Sequence, residues 1–413
     1  MKIKPVATSA AAVVSAFALS AMADMVDRPG GIKIGERLTL RPYVSVSYTY
    51  DSNIDSTKHS RDGSFWVIDP GIGISYKDDK LQVTGRAYYN YHAQNRYHER
   101  LNSSSYGENL SISWRNSMAN EKGWSFIFTE SFAQISQDDD MTHHNGRGVG
   151  RDRQTFQFGA AVERRINENW HAGANASYYL LDYDNNIKEY APLYGWKRWV
   201  VGGETGYMAS RWLDFIVAGT YQHYTQDNIS RASRLSDNSR AYSLMGGIGS
   251  RATERITYRA MAGWSRFEYA DGDLDTQNGW VYQISGNWKI SDTWSTMLLA
   301  SSYYQPSERE VACASRIDSI SWGIAHSMVR GKLSSTFDIN YRRETNVYSY
   351  YDSGDYDDDI ITGRFGLTYT LNRFLQVYGS IEYQTDMCSG KGVRGHAYDY
   401  DRFRGTVGMR LTY

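Results

Sequence analysis

The chain has 413 residues, with 45 Lys and Arg against 46 Asp and Glu, and a formal net charge of −1. This balance argues against a protein that coats nucleic acid, which shows a basic excess. An aromatic content of 14% argues against a disordered chain, because disordered chains are poor in aromatic residues. No apolar run is long enough to cross a bilayer as a helix, and two cysteines cannot build a disulfide framework or a zinc-ribbon site. The unusual feature is 34 tyrosines and 12 tryptophans in so polar a chain.

The N-terminus has the layout of a secretory signal peptide. Lys2 and Lys4 supply a basic start, residues 6–19 are apolar and rich in small side chains, and residues 21–23 fit the small-x-small cleavage rule. The apolar stretch is too short for a spanning helix, although an N-terminal anchor is the alternative. We predict a cleaved signal peptide at residues 1–23 and export of the mature chain.

After the signal peptide, apolar and polar side chains alternate with a period of two. Leu81, Val83 and Ala87 share one parity, and Gln82 and Arg86 share the other. Successive side chains of a strand point to opposite faces, so this pattern predicts strands with one apolar and one polar face. Eighteen such segments fall at 37–50, 64–76, 80–92, 105–114, 123–135, 154–166, 170–183, 197–209, 211–225, 240–251, 255–269, 278–290, 294–305, 317–328, 332–346, 359–370, 373–386 and 401–413.

The lengths of these segments and of their connections indicate a membrane barrel. Soluble strands are commonly about five or six residues long, whereas a tilted bilayer-spanning strand needs about nine to eleven. Tight turns, such as those at 166–169 and 371–373, alternate with longer polar loops. This is the layout of an outer-membrane barrel with short periplasmic turns and long extracellular loops. We predict an all-β fold: a short periplasmic segment at 24–36 and a single transmembrane antiparallel β-barrel at 37–413, with about 18 strands, or 16 if one hairpin is miscounted.

Aromatic side chains concentrate at both ends of the predicted strands. Rings follow the short turns at Trp124, Trp170, Trp212, Trp294 and Phe374. Tyrosines precede the long loops at Tyr48, Tyr50, Tyr91, Tyr221, Tyr224, Tyr341 and Tyr383. Rings with a polar tip favour the membrane–water interface, so the pattern predicts two aromatic girdles. Trp and Tyr also stabilise soluble strands, which is the alternative for any single residue.

The last strand carries a specific signal. Val407, Met409, Leu411 and the terminal Tyr413 alternate with polar residues and end the chain on an aromatic ring. This strand resembles the assembly signal of bacterial outer-membrane barrels, and the resemblance to porin-like barrels covers residues 37–413. It implies the bacterial outer membrane as the location, with its lipid and the barrel-assembly machinery as partners.

A second motif recurs where strands end. Residues 50–54 read Tyr-Asp-Ser-Asn-Ile, and related Asp-Asn-Ile runs follow at 184–187 and 227–229. Turn chemistry alone explains Asp and Asn at such places, because their side chains bond the local backbone. The early motif also resembles the β-barrel porin 2 group. That resemblance implies a link to exopolysaccharide production, with a polysaccharide as cargo and a periplasmic export partner, but it assigns no ligand residues.

The polar parity of the strands predicts the lining of the lumen. Charges on the lipid face are expensive, at roughly 2–4 kcal/mol each for Arg or Lys at the midplane, so an inward direction is favoured. Eleven basic and six acidic positions share the inward parity: Arg41, Arg86, Arg165, Arg198, Arg259, Lys289, Arg342, Arg364, Arg402, Arg404 and Arg410, with Glu163, Glu204, Asp214, Asp338, Glu344 and Glu382. An excess of arginine favours anions in a pore. The alternative is that these arginines pair with neighbouring carboxylates and only brace the wall.

The remaining residues give no metal site or cofactor site. The Asp runs at 138–140 and 357–359 lack the spacing and the glycine of a calcium loop, and the pair at 143–144 is read as two surface histidines. Cys313 and Cys388 lie on loops that face an oxidising compartment, so a disulfide between them is one alternative.

The sequence also contains no recognisable catalytic motif. His92, His171, His223 and His326 are nucleophile partners only in principle, so we do not predict an enzyme. We predict a channel that passes polar solutes across the outer membrane. The alternatives are a surface barrel whose loops bind partners and, third, an outer-membrane enzyme.

Overall fold

The computed structural model describes residues 31–54, 62–94, 103–115, 123–138, 151–183, 195–210, 212–226, 238–250, 255–270, 276–306, 314–329, 332–347, 356–390 and 399–413. Within these ranges no helix is long and apolar enough to cross a membrane. The strands are β1 (Ile32–Ile34), β2 (Leu38–Asp51), β3 (Gly63–Lys77), β4 (Leu81–Gln94), β5 (Ser103–Arg115), β6 (Trp124–Asp138), β7 (Arg151–Arg165), β8 (Trp170–Tyr183), β9 (Trp196–Ser210), β10 (Leu213–Gln226), β11 (Asn238–Ser250), β12 (Ile256–Tyr269), β13 (Gln277–Lys289), β14 (Trp294–Pro306), β15 (Ala314–Met328), β16 (Leu333–Val347), β17 (Tyr356–Thr370), β18 (Leu375–Gly390) and β19 (Tyr400–Thr412).

The strands β2 to β19 form a closed antiparallel barrel of eighteen strands. Each pairs with the next along the chain, and β19 returns to pair with β2 from Arg404↔Asp51 to Thr412↔Tyr43. The short strand β1 pairs with β2 from Ile32↔Leu40 to Ile34↔Leu38. The pairs between β1 and β2 lie beyond the last pair between β19 and β2. The strand β1 therefore continues β19 along the same side of β2. Closure removes exposed strand edges, as a membrane-spanning sheet requires.

All eighteen predicted strands are present, including the short segment at 105–114, which is β5. The alternative of sixteen strands is therefore wrong. The predicted bounds differ from the observed bounds by four residues at most, at the end of β18. Sequence reasoning missed β1, which lies within the predicted segment 24–36, because three residues are too few to show an alternating pattern.

The alternation of burial separates an outer and an inner face. In β2, Val44 and Tyr48 are 38% and 36% exposed, whereas Ser45, Ser47 and Thr49 between and beside them are 3–7% exposed. Apolar side chains therefore form the outer face of the barrel, and small polar side chains line the inner face. This is the arrangement that alternation along a barrel strand produces.

Two glutamate side chains on the neighbouring strands β5 and β6 interrupt the apolar outer face. Glu130 lies midway along β6 on the outer parity, opposite Leu110 of β5 and Phe158 of β7. Glu108 of β5 has the same orientation, opposite Phe132. The two residues are diagonal neighbours, about 7–8 Å apart, and their Cβ atoms are somewhat closer. They are therefore two ionisable groups within an otherwise apolar and aromatic band.

Local side-chain bonds hold the short turns. Asn167 Oδ1 accepts the N–H groups of Asn169 and Trp170 at 2.9 and 2.8 Å. Asn372 Oδ1 accepts two N–H groups in the same way at the turn between β17 and β18. At the turn between β13 and β14, a hydrogen bond from Lys289 lowers the pKa of Asp292. At the two turns with Asn, these bonds hold the chain reversal, because the Asn side chain takes the place of a backbone acceptor.

The two aromatic girdles are present on the outer face. Trp124, Trp170, Trp212 and Trp294 are 41–52% exposed beside the short turns. At the other end, exposed tyrosines are Tyr48, Tyr50, Tyr91, Tyr221 and Tyr383. Tyr341 is only partly exposed and donates a hydrogen bond to Asp359 Oδ1 at 2.6 Å. The prediction for Tyr224 was wrong: this ring is fully buried on the inner parity of β10, three residues after the outward Tyr221.

The wall departs from a regular cylinder between β13 and β14. Their ladder runs only from Lys289↔Ser295 to Gln283↔Ser301, although β14 pairs with β15 as far as Pro306↔Ala314. Ser301, Ser302, Tyr304 and Gln305 are all 5–8% exposed, so both faces of this end of β14 are covered. The end of β14 therefore folds inward as a second layer, which we call the overlap (residues 302–306).

An apolar cluster fills the space beneath the overlap. The Tyr224 hydroxyl donates to the carbonyl of Tyr304 at 3.3 Å, and so joins β10 to β14 across the interior. The ring of Tyr224 also lies 5.8 Å from that of Trp196 and 6.0 Å from that of Phe267, centroid to centroid. The cluster consists of Leu181, Trp196, Tyr224, Ala241, Phe267, Tyr269, Val281, Tyr304 and Ala314. It narrows one side of the lumen and explains why the inward Tyr224 is fully buried.

Candidate pore wall

The strongest charged contact of the inner wall closes the barrel. Asp51 at the end of β2 is fully buried and accepts hydrogen bonds from Arg402 Nε at 3.0 and 2.9 Å and from Arg402 Nη2 at 2.6 Å. Arg404 Nε adds a bond to Asp51 Oδ2 at 2.9 Å. One carboxylate therefore bridges two arginines where the last strand meets the first barrel strand, and it compensates one of their two charges. Charge-assisted bonds of this kind are the stronger class of hydrogen bond.

The motif at 50–54 builds this contact. Asp51 Oδ1 also accepts the backbone N–H of Asn53 at 3.0 Å, and the Asn53 amide donates to the carbonyl of Asp401 at 3.0 Å. Ser52 exchanges two hydrogen bonds with the backbone of Phe403, at 2.9 and 2.8 Å. Turn chemistry is thus present, but the same residues also fasten β2 to β19. The related runs at 184–187 and 227–229 lie outside the described residues.

A line of alternating charges continues from this contact along the inner wall. Arg404 Nη1 lies 3.6 Å from Glu382 Oε1, and Arg364 Nε lies 4.0 Å from Glu382 Oε2. Asp338 is the cross-strand partner of Arg364. Four strands, β16 to β19, therefore present carboxylates and guanidinium groups in alternation. The predicted pore-lining residues of this region lie together, and most of their charge is compensated.

A second charged cluster lies on β2, β3, β4 and β19. Asp69 accepts hydrogen bonds from Tyr43 and Ser45, each at 3.2 Å, and from Arg86 Nη2 at 3.3 Å. Arg410 Nη2 lies 3.7 Å from the same carboxylate. The guanidinium carbons of Arg86 and Arg410 lie 5.2 and 5.0 Å from the centre of the Tyr43 ring, so cation–π contacts add to the pairing.

The other predicted pore-lining residues are distributed around the inner face. Arg259 Nη2 contacts Glu204 Oε2 at 2.8 Å, and both side chains are largely buried. Arg198 lies over the Tyr179 and Trp196 rings at 5.6 and 5.5 Å.

On other strands, Arg342 Nη2 contacts Glu344 at 2.9 Å, and Arg41 has the inward parity of β2 and is partly exposed. These contacts support the view that many arginines brace the wall. A role of these residues in conduction remains a prediction.

Asp214 belongs to a buried pair rather than to an open pore surface. His171 Nε2 lies 2.8 and 3.0 Å from the two Asp214 carboxylate oxygens, and the side chains are 3% and 1% exposed. Gly206 between them on β9 provides the space, because a Cβ atom there would overlap His171 Nε2. A pair so enclosed offers no surface to a substrate, so it does not support an enzyme.

Sequence reasoning missed two inward carboxylates, Asp51 and Asp69. Their signal was available: Asp51 has the parity of Arg41, and Asp69 alternates with the outward Ile68 and Ile72. Asp51 was instead assigned to a strand exit. Adding these residues reduces the excess of positive charge that the inward positions indicate.

Part of the inner wall is accessible to solvent. Thr336 and Asn340 on β16 have the inward parity, opposite to that of the outward Phe337 and Ile339, and both are exposed. The Arg364 side chain is 55% exposed although it points inward. The interior beside β16 and β17 is therefore open space lined by hydroxyl, amide and guanidinium groups.

Some of the predicted sites fall at the strand ends. Asp357 and Asp359 are part of β17, where Arg343 pairs with Asp357. Among the described residues no group of three or more His, Cys, Asp or Glu could hold a metal ion. Cys388 is buried on β18, whereas Cys313 and the histidines at 143–144 lie outside the described residues. The disulfide therefore remains a prediction, as does the signal peptide at 1–23.

The four residues of the predicted assembly signal share one surface. Val407, Met409, Leu411 and Tyr413 lie on the outer face and are 52–66% exposed. The Tyr413 ring stacks on Phe374 with centroids 6.1 Å apart, and its N–H bonds the carbonyl of Pro42 at 3.0 Å. This position leaves the side chains available to another protein, and their role in assembly remains a prediction.

A closed antiparallel barrel with an apolar outer face, two aromatic girdles and a polar inner wall defines a porin-like outer-membrane protein. The chain belongs to the family described as Putative beta-barrel porin 2, whose profile matches residues 28–413. No match was found among curated proteins.

The solved structures to which the chain is similar include receptor barrels. A point mutant of the ferric enterobactin receptor of Pseudomonas aeruginosa is 7% identical, with a TM-score of 0.43, over 94% of this chain and 81% of that chain. The siderophore receptor PirA of Acinetobacter baumannii is 8% identical, with a TM-score of 0.43, over 92% and 81%. The ferric-catecholate import receptor Fiu of E. coli K12 is 7% identical, with a TM-score of 0.39, over 90% and 81%. Likeness at this level carries no argument about a ligand.

Proposed function

We propose that the barrel is a channel that passes hydrated polar solutes across the outer membrane, and that hydroxyl-rich chains such as polysaccharides are its cargo. The observation that supports this function is the accessible inner wall at Thr336, Asn340 and Arg364. An eighteen-strand barrel is wide enough to leave an aqueous channel beside such a wall. Membership of a porin family supports the class of function, and the cargo is the finer part of the proposal.

The electrostatics of the wall favour neutral or weakly charged cargo. Arg402 and Arg404 share Asp51, and Arg86 and Arg410 share Asp69. Each carboxylate compensates one of the two guanidinium charges beside it, so the wall keeps only a small positive excess and a weak field in the lumen. We therefore expect a slight anion preference rather than strong selectivity, and a wall rich in hydrogen-bonding groups that can replace the hydration of a sugar.

The experiment compares two neighbouring substitutions on β16. Asn340→Trp places a large ring in the accessible lumen, and Ile339→Trp places the same ring on the outer face, where Ile339 is 41% exposed. In liposome swelling with neutral oligosaccharides of increasing length, Asn340→Trp should lower the rate most for the longest sugars, and Ile339→Trp should leave it unchanged. Equal rates for the native protein and Asn340→Trp at every sugar length would contradict the proposal.

A further inference from the structure

A cavity lies where β13 and β14 separate. Residues of β8 to β14 line it, and it is partly open to solvent. Gln283 and Ser302 lie at the point of separation, and Val200, Ala218, Met245 and Val281 give the cavity an apolar side. We call it the seam cavity. Its lining comes from β8 to β14, whereas the accessible wall lies on β16 and β17, so its residues are distinct from those of the proposed channel surface.

Two polar atoms of the seam cavity are buried without a partner. Gln283 is 8% exposed and Ser302 is 6% exposed. Among the described residues neither Gln283 Oε1 nor Ser302 Oγ has a hydrogen-bond partner. The large majority of buried side-chain polar atoms in folded proteins have a hydrogen-bond partner, so two unsatisfied atoms in one cavity indicate a missing partner. Because an amide oxygen only accepts, that partner must donate, as a hydroxyl group does.

The wall above the cavity is held by side chains instead of a ladder. Beyond Gln283↔Ser301 the two strands are not paired. Tyr282 donates a hydrogen bond to Asp318, and the Tyr304 hydroxyl lies close to Gly279, where an added Cβ atom would be 2.8 Å away. Side-chain contacts can separate without breaking backbone pairs. The seam between β13 and the overlap can therefore open without breaking backbone hydrogen bonds between these two strands.

The surface around this seam is apolar on both sides. Trp280, beside the unpaired edge of β13, is 68% exposed on the outer face. The buried cluster with Tyr224, Phe267 and Val281 lies on the inner side. A hydrocarbon chain that passes between the strands would contact the buried cluster on the inner side and Trp280 on the outer side, with Gln283, Ser302 and the Tyr282–Asp318 hydrogen bond between them. Such burial is favourable in proportion to the apolar area covered.

We propose that the seam cavity binds a single-chain amphiphile with a hydroxylated head group. The head group donates hydrogen bonds to Gln283 and Ser302, and the chain passes between β13 and β14 toward the outer leaflet. The amphiphile thus enters the site laterally, through the barrel wall between the lumen and the membrane. This proposal goes beyond the channel function and does not depend on it.

The test maps contacts of a photoreactive probe on the intact barrel in lipid nanodiscs. The probe is decyl maltoside with a diazirine at the end of its chain, and adducts are located by peptide mass spectrometry. We expect labelling of Gln277–Lys289 and Trp294–Pro306 to exceed that of Leu333–Val347 by about tenfold. Labelling spread evenly over the outer faces of all strands would overturn the proposal.

Variants and a second probe separate the contributions of head group and chain. Gln283→Leu and Ser302→Ala should each lower seam labelling about fivefold, which corresponds to the loss of one hydrogen bond. The matched change Asn340→Leu, on the accessible wall, should leave it unchanged. Ser302→Ala is small enough to keep the test valid if Gln283→Leu does not fold. A decyl phosphocholine probe, which has no hydroxyl donors, should label the seam weakly, and equal labelling by both probes would refute the head-group assignment.

Discussion

Replacement of Asp51 by alanine should destabilise the barrel at its point of closure. The change removes the carboxylate that receives Arg402 and Arg404, and leaves the Arg402 side chain only 2% exposed. Removing one partner of a buried ion pair costs about 3–5 kcal/mol, because the remaining charge is neither solvated nor compensated. We expect a loss of that size in the free energy of unfolding, measured by denaturant titration in lipid vesicles with tryptophan fluorescence.

Two controls test this reasoning. Glu268→Ala breaks the pair with Arg266, whose side chain is 58% exposed, and should lower stability by about 1 kcal/mol or less. The double variant Asp51→Leu with Arg402→Leu should be more stable than Asp51→Ala, because no deeply buried charge is left without its partner. If Asp51→Ala and Glu268→Ala lose equal stability, the buried closure contact does not stabilise the barrel as described.

Three further predictions concern packing, the outer face and assembly. Gly206→Ala should destabilise by about 1–3 kcal/mol, since its Cβ atom would overlap His171, whereas Gly203→Ala, with its nearest atom 3.7 Å away, should be tolerated in the same titration. Glu130→Leu should raise the unfolding free energy by about 1–3 kcal/mol, because it removes a carboxyl group from the apolar band; unchanged or lower stability would contradict the outward assignment. Deleting Tyr413 should lower the amount of folded barrel in cells, measured by heat-modifiable migration, but should leave refolding into vesicles unchanged; normal cellular yield would refute the assembly role.

The fold could be predicted because a barrel strand has a simple code. Alternation separates the two faces of each strand, and segment length matches the thickness of the membrane. Loop length distinguishes the two ends of the barrel. The eighteen strands were therefore found with small errors in their bounds. The overlap was not predicted, although the apolar run at 297–300 breaks the alternation of β14 and Pro306 has no N–H to donate to a ladder. Neither signal shows that the ladder with β13 ends at Ser301. The inward position of Tyr224 follows from parity, since it lies three residues after the outward Tyr221, and the overlap accounts for its complete burial beneath Tyr304.

The sequence indicated which charged residues line the inner wall, but not which of them form ion pairs. Parity placed Arg402, Arg404 and Arg364 on the inner face, which agrees with the contacts that they make. Their partners depend on register across the closed barrel: Asp51 and Arg402 are 351 residues apart in the chain. No local pattern encodes such a contact. The excess of inward arginine was therefore overestimated, because Asp51 and Asp69 were not counted among the carboxylates of the wall.

Planar-bilayer conductance of the refolded chain 24–413 tests the channel function most directly. An aqueous lumen beside Thr336, Asn340 and Arg364 predicts stable open steps, with a reversal potential in a salt gradient that shows at most a slight anion preference. Absence of steps, both in this protein and in a variant without residues 139–150, would contradict the account. It would mean that the barrel anchors its loops in the membrane and does not conduct.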